Sequence, residues 1–125
     1  MTRTDAFYAA LVVSALLVNA AGYLLSLWHE ETLFDEIVHF YTSFAVVGTI
    51  GWLALRGAAP RRSPPTWWIL VAVGVLLGLA WEAVEWVLGI IGSGHDTMMD
   101  LAMDAAGAAA AAALLSYVAG HRASR

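Results

Sequence analysis

The chain has 125 residues, of which 61% are hydrophobic and 13% charged, with a formal charge of −4 and a mean hydropathy of +0.73. That balance is too apolar for an ordinary soluble domain and points to one integral membrane domain. The absence of Cys excludes disulfides, thiolate metal sites and Cys nucleophiles, and an acidic chain without Lys or a basic groove has no electrostatic footing for nucleic acid.

Four apolar windows, 6–28, 37–55, 67–91 and 97–119, reach or approach the roughly 20 residues needed to cross a ~30 Å hydrocarbon core. The sequence therefore predicts an all-α polytopic membrane protein, with four transmembrane helices forming one compact bundle over residues 1–125. The first window exceeds the roughly 7 to 15 apolar residues of a secretory signal core and lacks a clear cleavage site, so it reads as retained. Within it, Asn19 suits an interhelical hydrogen bond. Between the second and third windows, Arg56-Gly-Ala-Ala-Pro-Arg-Arg-Ser-Pro-Pro-Thr66 reads as a polar turn, with Pro64 and Pro65 leading into a helix and Trp67 and Trp68 placed for an interfacial belt. Gly74 and Gly78 form a GxxxG pattern in the third window, and Gly107 with alanines 108–113 thins one side of the fourth. Thin helices let the polar side chains of their neighbours converge.

Charge is segregated along the chain. Arg3, Arg56, Arg61, Arg62, Arg122 and Arg125 fall at the chain ends or in one loop, while Glu30, Glu31, Asp35, Glu36, Glu82, Glu85, Asp96, Asp100 and Asp104 surround the opposite ends of the apolar windows. Only Asp5 departs from the pattern. Under the positive-inside rule both termini and the Arg-rich loop face the cytoplasm, and the acids face the outer side. The acidic side has no cationic side chain of its own, so protons, a bound cation or a partner must balance it.

Three polar motifs carry the chemistry. Asp35 and His39 are four residues apart on the second helix, and Glu82 and Glu85 are three apart on the third, so each pair shares a face. Asp96, Asp100 and Asp104 repeat the four-residue spacing on the fourth. At 1.5 Å per residue, Glu82 lies roughly 13 Å and Asp104 roughly 10 Å inside their windows. An ionisable group at such depth costs about 2.5 to 3.5 kcal/mol on insertion scales and marks a functional-site candidate facing the bundle interior.

A plainer reading covers some of these acids. Thr32-x-x-Asp35 and Thr97-x-x-Asp100 resemble capping boxes, which would account for Asp35, Glu36, Asp96 and even Asp100. Glu30, Glu31 and Glu36 suit solvated interfacial charges, and His95 beside Gly94 suits either the surface or the site. Capping leaves Asp104, Glu82 and Glu85 unexplained. The candidate metal ligands are therefore Asp35, His39, Glu82, Glu85, Asp100 and Asp104, with Asp96 and His95 as additional candidates. Carboxylates and imidazole without sulfur suit a divalent ion such as Mg, Mn, Ca, Fe or Zn. Inward carboxylates and His at this spacing are how helical bundles hold two metals, and the donors here suffice for one ion or two.

The segments Asp35-Glu-Ile-Val-His39-Phe40, Gly78-Leu-Ala-Trp-Glu82-Ala-Val-Glu85-Trp86 and Asp96-Thr97-Met-Met-Asp100-Leu-Ala-Met-Asp104-Ala-Ala-Gly107-Ala resemble the conserved blocks of VanZ-like membrane proteins. The combination of W-E-x-x-E with D-T-x-x-D-x-x-x-D-x-x-G is more similar to the YjdF-like inner membrane branch. The resemblance runs over about 35–115 and implies a small multi-pass protein of the bacterial cytoplasmic (inner) membrane. It implies Asp35, His39, Glu82, Asp100, Asp104 and Gly107 as shared motif residues, with Glu85 and Asp96 belonging to the YjdF-like variant; VanZ-like proteins have no established biochemical activity to add. Three functions follow from the residues. One is a metal-dependent enzyme acting on a lipid-linked or cell-envelope substrate; with no nucleophile motif, its hydrolysis would be metal-driven. The others are an accessory or structural subunit of a larger membrane complex, or of a homo-oligomer, and a proton or cation transporter.

Overall fold

The computed structural model describes residues 2–25, 27, 33–57, 66–89 and 92–123. Glu30, Glu31, Thr32, Arg61, Arg62, Pro64, Pro65 and Arg125 lie outside them, as does the side chain of Arg122. Four helices follow one another: α1 (Arg3–Leu24), α2 (Phe34–Gly57), α3 (Trp67–Leu88) and α4 (Gly94–Ala123). All four are long and apolar enough to cross a membrane, and no strand occurs among the described residues.

Local chemistry sets the helix ends. Thr2 and Asp5 form a reciprocal capping box at the start of α1. At the end of α3, Gly89 adopts φ 70°, a left-handed conformation natural to glycine, and its N–H returns to the Trp86 carbonyl at 3.2 Å. Ser93 opens α4, its Oγ accepting the Asp96 N–H at 3.2 Å. The capping role open to Thr97 thus falls to Ser93, one turn earlier, because its hydroxyl precedes the first helical residue. Trp67 and Trp68 are exposed at the first turn of α3.

Helices α2 and α4 form the centre of the bundle, with α3 against both and α1 against α2; among the described residues, the backbone of α1 approaches no other helix. Small residues make the central contacts possible. A Cβ on Gly107 would collide with the Phe40 carbonyl oxygen, one on Gly74 with Ala108, and one on Gly78 with the Asp104 carboxylate. At one end of the bundle, Tyr8, Val47, Trp52, Leu70, Ala108, Ala111, Ala112 and Leu115 make an apolar core, with the Tyr8 and Trp52 rings stacked 5.4 Å apart. At the other end α2 and α4 begin and α3 finishes, and apart from Val38 the buried side chains His39, Ser43, Glu82, Asp100 and Asp104 are polar.

Helix α1 is tied to α2 by polar contacts along its length. Ser14 shares a 2.6 Å hydrogen bond with the Tyr41 hydroxyl, and Asn19 Nδ2 donates to Thr42 Oγ1 at 2.9 Å. Asp5, the acid on the arginine side of the chain, accepts from Arg56 Nη1 at 2.9 Å and from Trp52 Nε1 at 3.3 Å. The exception to the charge pattern is therefore neutralised locally by Arg56.

Because the neighbour of Gly107 is backbone and cannot rotate away, Gly107→Val is expected to destabilise the protein by about 1–3 kcal/mol or more. Gly120→Ala, where an added Cβ meets nothing within 4 Å, is expected to leave the thermal midpoint in detergent unchanged or slightly raised. Equal behaviour of the two variants would contradict the close α2–α4 approach.

Candidate metal centre

The polar end of the bundle is organised around one imidazole. His39 lies five residues into α2 and Asp100 six residues into α4, so both sit about 8–9 Å inside their helices. Glu82 lies six residues before the end of α3, at a matching depth. His39, Glu82, Asp100 and Asp104 are all buried, and Asp100 is only 2% exposed.

The two edges of the ring face different groups. His39 Nδ1 lies 3.2 Å from Asp104 Oδ2, within hydrogen-bond distance. Nε2 faces Asp35 Oδ1 at 3.6 Å and Asp100 Oδ1 at 4.0 Å, both beyond a hydrogen bond. If Nδ1 carries the proton given to Asp104, Nε2 is a lone-pair donor pointing at two carboxylate oxygens. A carboxylate accepting from the far nitrogen is the usual support behind a metal-binding histidine, fixing its tautomer and orientation.

One ligand atom from each of Asp35, His39 and Asp100 lies within 4.8 Å of the others. The oxygens Asp35 Oδ1 and Asp100 Oδ1 are buried and have no hydrogen-bond partner in the protein. Three electron-pair donors thus converge on a space too wide for hydrogen bonds between them and close enough for a cation to bridge, since metal–oxygen distances run from about 2.0 Å for Mg to about 2.6 Å for Ca.

The remaining acids take graded positions. Glu82 and Asp96 lie within electrostatic reach of both Asp35 and Asp100. Glu82 Oε2 accepts from Thr97 Oγ1 at 2.6 Å, while its Oε1 is buried without a hydrogen-bond partner. Glu85 is half-buried, accepting from Trp81 Nε1 at 2.8 Å and interacting with Glu82. Glu36, expected among the solvated charges, is half-buried with its Oε2 enclosed and unbonded, because α2 already starts at Phe34 and turns this side chain inward. His95 is exposed on the first turn of α4.

Sequence reasoning missed two supporting hydroxyls. Ser43, one turn after His39, donates to the Asp104 carbonyl oxygen at 2.7 Å, and Thr97 ties α4 to Glu82 of α3. Their signal was the four-residue step from His39 and the three-residue step to Asp100, legible only once those acids are known to face inward.

A family model described as predicted membrane protein (DUF2238) matches residues 2–121. The chain belongs to the DUF2238 family. The match covers α1 to α3, α4 as far as residue 121, and every residue of the cluster in this DUF2238 chain. No curated protein and no solved structure matches it.

The Thr97–Glu82 bond joins a hydroxyl to a carboxylate inside the bundle, where charge-assisted bonds are worth about 1.5–3 kcal/mol. A double-mutant cycle of Thr97→Val and Glu82→Ala, followed by unfolding in mixed detergent, is expected to give a coupling of about that size, whereas additive effects would place the two side chains apart.

Proposed function

We propose that this DUF2238 membrane protein holds a divalent metal ion between Asp35, His39 and Asp100 and uses it on a lipid-linked or cell-envelope substrate at the outer side of the bacterial inner membrane. The observation that carries the reading is the pair of buried, unbonded oxygens, Asp35 Oδ1 and Asp100 Oδ1, aimed at the same imidazole nitrogen. Leaving a buried polar atom without a hydrogen-bond partner costs about 1–3 kcal/mol, and more where the group is charged. A cation among them converts that cost into coordination.

The likeness of the three motif blocks to VanZ-like and YjdF-like proteins supports the same residues, and the segregation of arginines from acids supports an outward-facing cluster. A three-ligand site keeps positions open for water or substrate, as catalytic metal sites do. A bound divalent ion would supply Lewis acidity toward a substrate oxygen or a water molecule. Glu82 has one oxygen fixed by Thr97 and the other free, which suits it to accept a proton beside the ion. Asp104 and Ser43 hold the imidazole and the α4 backbone in place. The arginine-side half of the bundle is filled by the apolar core, which favours a site that holds its ion over a path that conducts it.

After removal of loosely held ions, elemental analysis of the detergent-purified protein is expected to find near-stoichiometric divalent metal. Asp100→Asn and His39→Ala are expected to lose it, and Glu82→Gln to keep it, since Glu82 stands outside the three-ligand group. A well-folded parent without metal would overturn the proposal and leave the cluster to a protonated imidazole.

A further inference from the structure

Beside the cluster lies a second feature, a cavity of about 350 Å³, within the size range of small-molecule sites. Val12, Leu16 and Asn19 of α1 form one wall and Gly74, Leu77 and Trp81 of α3 the other, with α2 between them. Since the backbones of α1 and α3 do not approach each other, and Leu16 and Leu77 are 65% and 44% exposed, the opening between these two spanning helices faces hydrocarbon.

The lining has a polarity gradient along the helix axes. Val12, Val46 and Gly74 lie toward the apolar core, whereas Asn19, His39, Thr42 and Trp81 lie toward the cluster end, and Asp104 reaches the cavity beside His39. The distance from Val12 to Asn19 is about 10 Å at 1.5 Å per residue, roughly a third of the hydrocarbon thickness. Small side chains keep the space open: Ala15, Gly74 and Gly78 line it, and a Cβ on Gly78 would displace the Asp104 carboxylate. No Lys or Arg lines it, and its ionisable groups are His39 and Asp104.

We propose that this cavity binds the chain of a single-chain lipid with an uncharged, hydroxyl-bearing head, admitted sideways from the bilayer between α1 and α3. The chain lies along Val12, Leu16, Val46 and Leu77, and the hydroxyl reaches the His39–Asp104 pair. The lining has no guanidinium or ammonium to hold a phosphate or carboxylate head, and its one carboxylate, Asp104, accepts a hydrogen bond from a hydroxyl. Binding of the chain is independent of the metal, because Asp35 and Asp100 face Nε2 of the His39 ring and do not line the cavity; the role of this lipid as substrate rests on the metal reading.

The test is photolabelling in nanodiscs with a diazirine-bearing long-chain alcohol, followed by peptide mapping. Saturable labelling of α1 and α3 is expected, displaced by 1-dodecanol and roughly tenfold less well by dodecyl phosphate. Leu16→Trp, which fills the mouth from an exposed position, is expected to reduce labelling about tenfold at unchanged thermal midpoint; Leu77→Trp repeats the test from α3 should the first variant misfold. Labelling spread evenly over the lipid-facing helices, or unaffected by both tryptophans, would overturn the site. Equal displacement by the phosphate would overturn the uncharged head, and protection by dimer formation would assign the cavity to a second copy. Asp100→Asn, expected to lose metal and keep labelling, separates failure of the metal reading from failure of this one.

Discussion

The close approach of α2 and α4 is the constraint on which the rest of the molecule depends. Gly107 lies against the Phe40 carbonyl, and the residue before Phe40 is His39, while Asp104 stands one turn before Gly107. Backbone contact at this point places the imidazole and the carboxylate within bonding distance without long side chains to bridge the gap. A larger residue would push the helices apart, widening the His39–Asp104 distance and opening the apolar core below it. Packing and polar chemistry in this protein share one contact.

The two ends of the bundle meet the expense of charge in opposite ways. On the arginine side, Asp5 is partly buried and satisfied by Thr2, Trp52 and the exposed Arg56, contacts that locate α1 on α2, the ion pair itself adding little net energy where the guanidinium is solvated. At the other end, Asp35, Glu82, Asp100 and Asp104 have one imidazole among them and no guanidinium within reach among the described residues. Charge of one sign in a low-dielectric interior is stable only if neutralised. The same polypeptide that pairs Asp5 with a guanidinium gathers its buried acids around a single imidazole.

Hydropathy made the four spans legible before any coordinates, since a run of about 20 apolar residues has few other uses. Four-residue spacing placed Asp35 with His39 and Asp96 with Asp100 and Asp104, because helical geometry alone decides which residues share a face. The division of labour within the cluster was not legible. Spacing along one helix says nothing about the rotation of its neighbour, so Asp104 behind the ring and Asp100 before it looked equivalent. Thr97 resembled a cap in sequence because Thr-x-x-Asp fits that pattern, yet Ser93 stands closer to the true helix start. Asp5 looked anomalous for a similar reason: its partner Arg56 is far along the chain and adjacent only in the folded bundle.

The order of helices along the chain has a consequence for how the protein is made. Helix α1 precedes α2 and, among the described residues, its backbone approaches α2 alone, whereas the carboxylates that face His39 from another helix reside on α4, made later. During insertion, α2 must therefore spend the interval before α4 arrives with its acid and imidazole facing lipid, α1 or the insertion machinery, at about 2.5–3.5 kcal/mol for each charged group. Biogenesis thus runs through a temporarily unfavourable intermediate. Its resolution depends on α4 rather than on the α1–α2 hairpin that precedes it, and a chain truncated before α4 carries an orphaned polar face that membrane quality control can recognise.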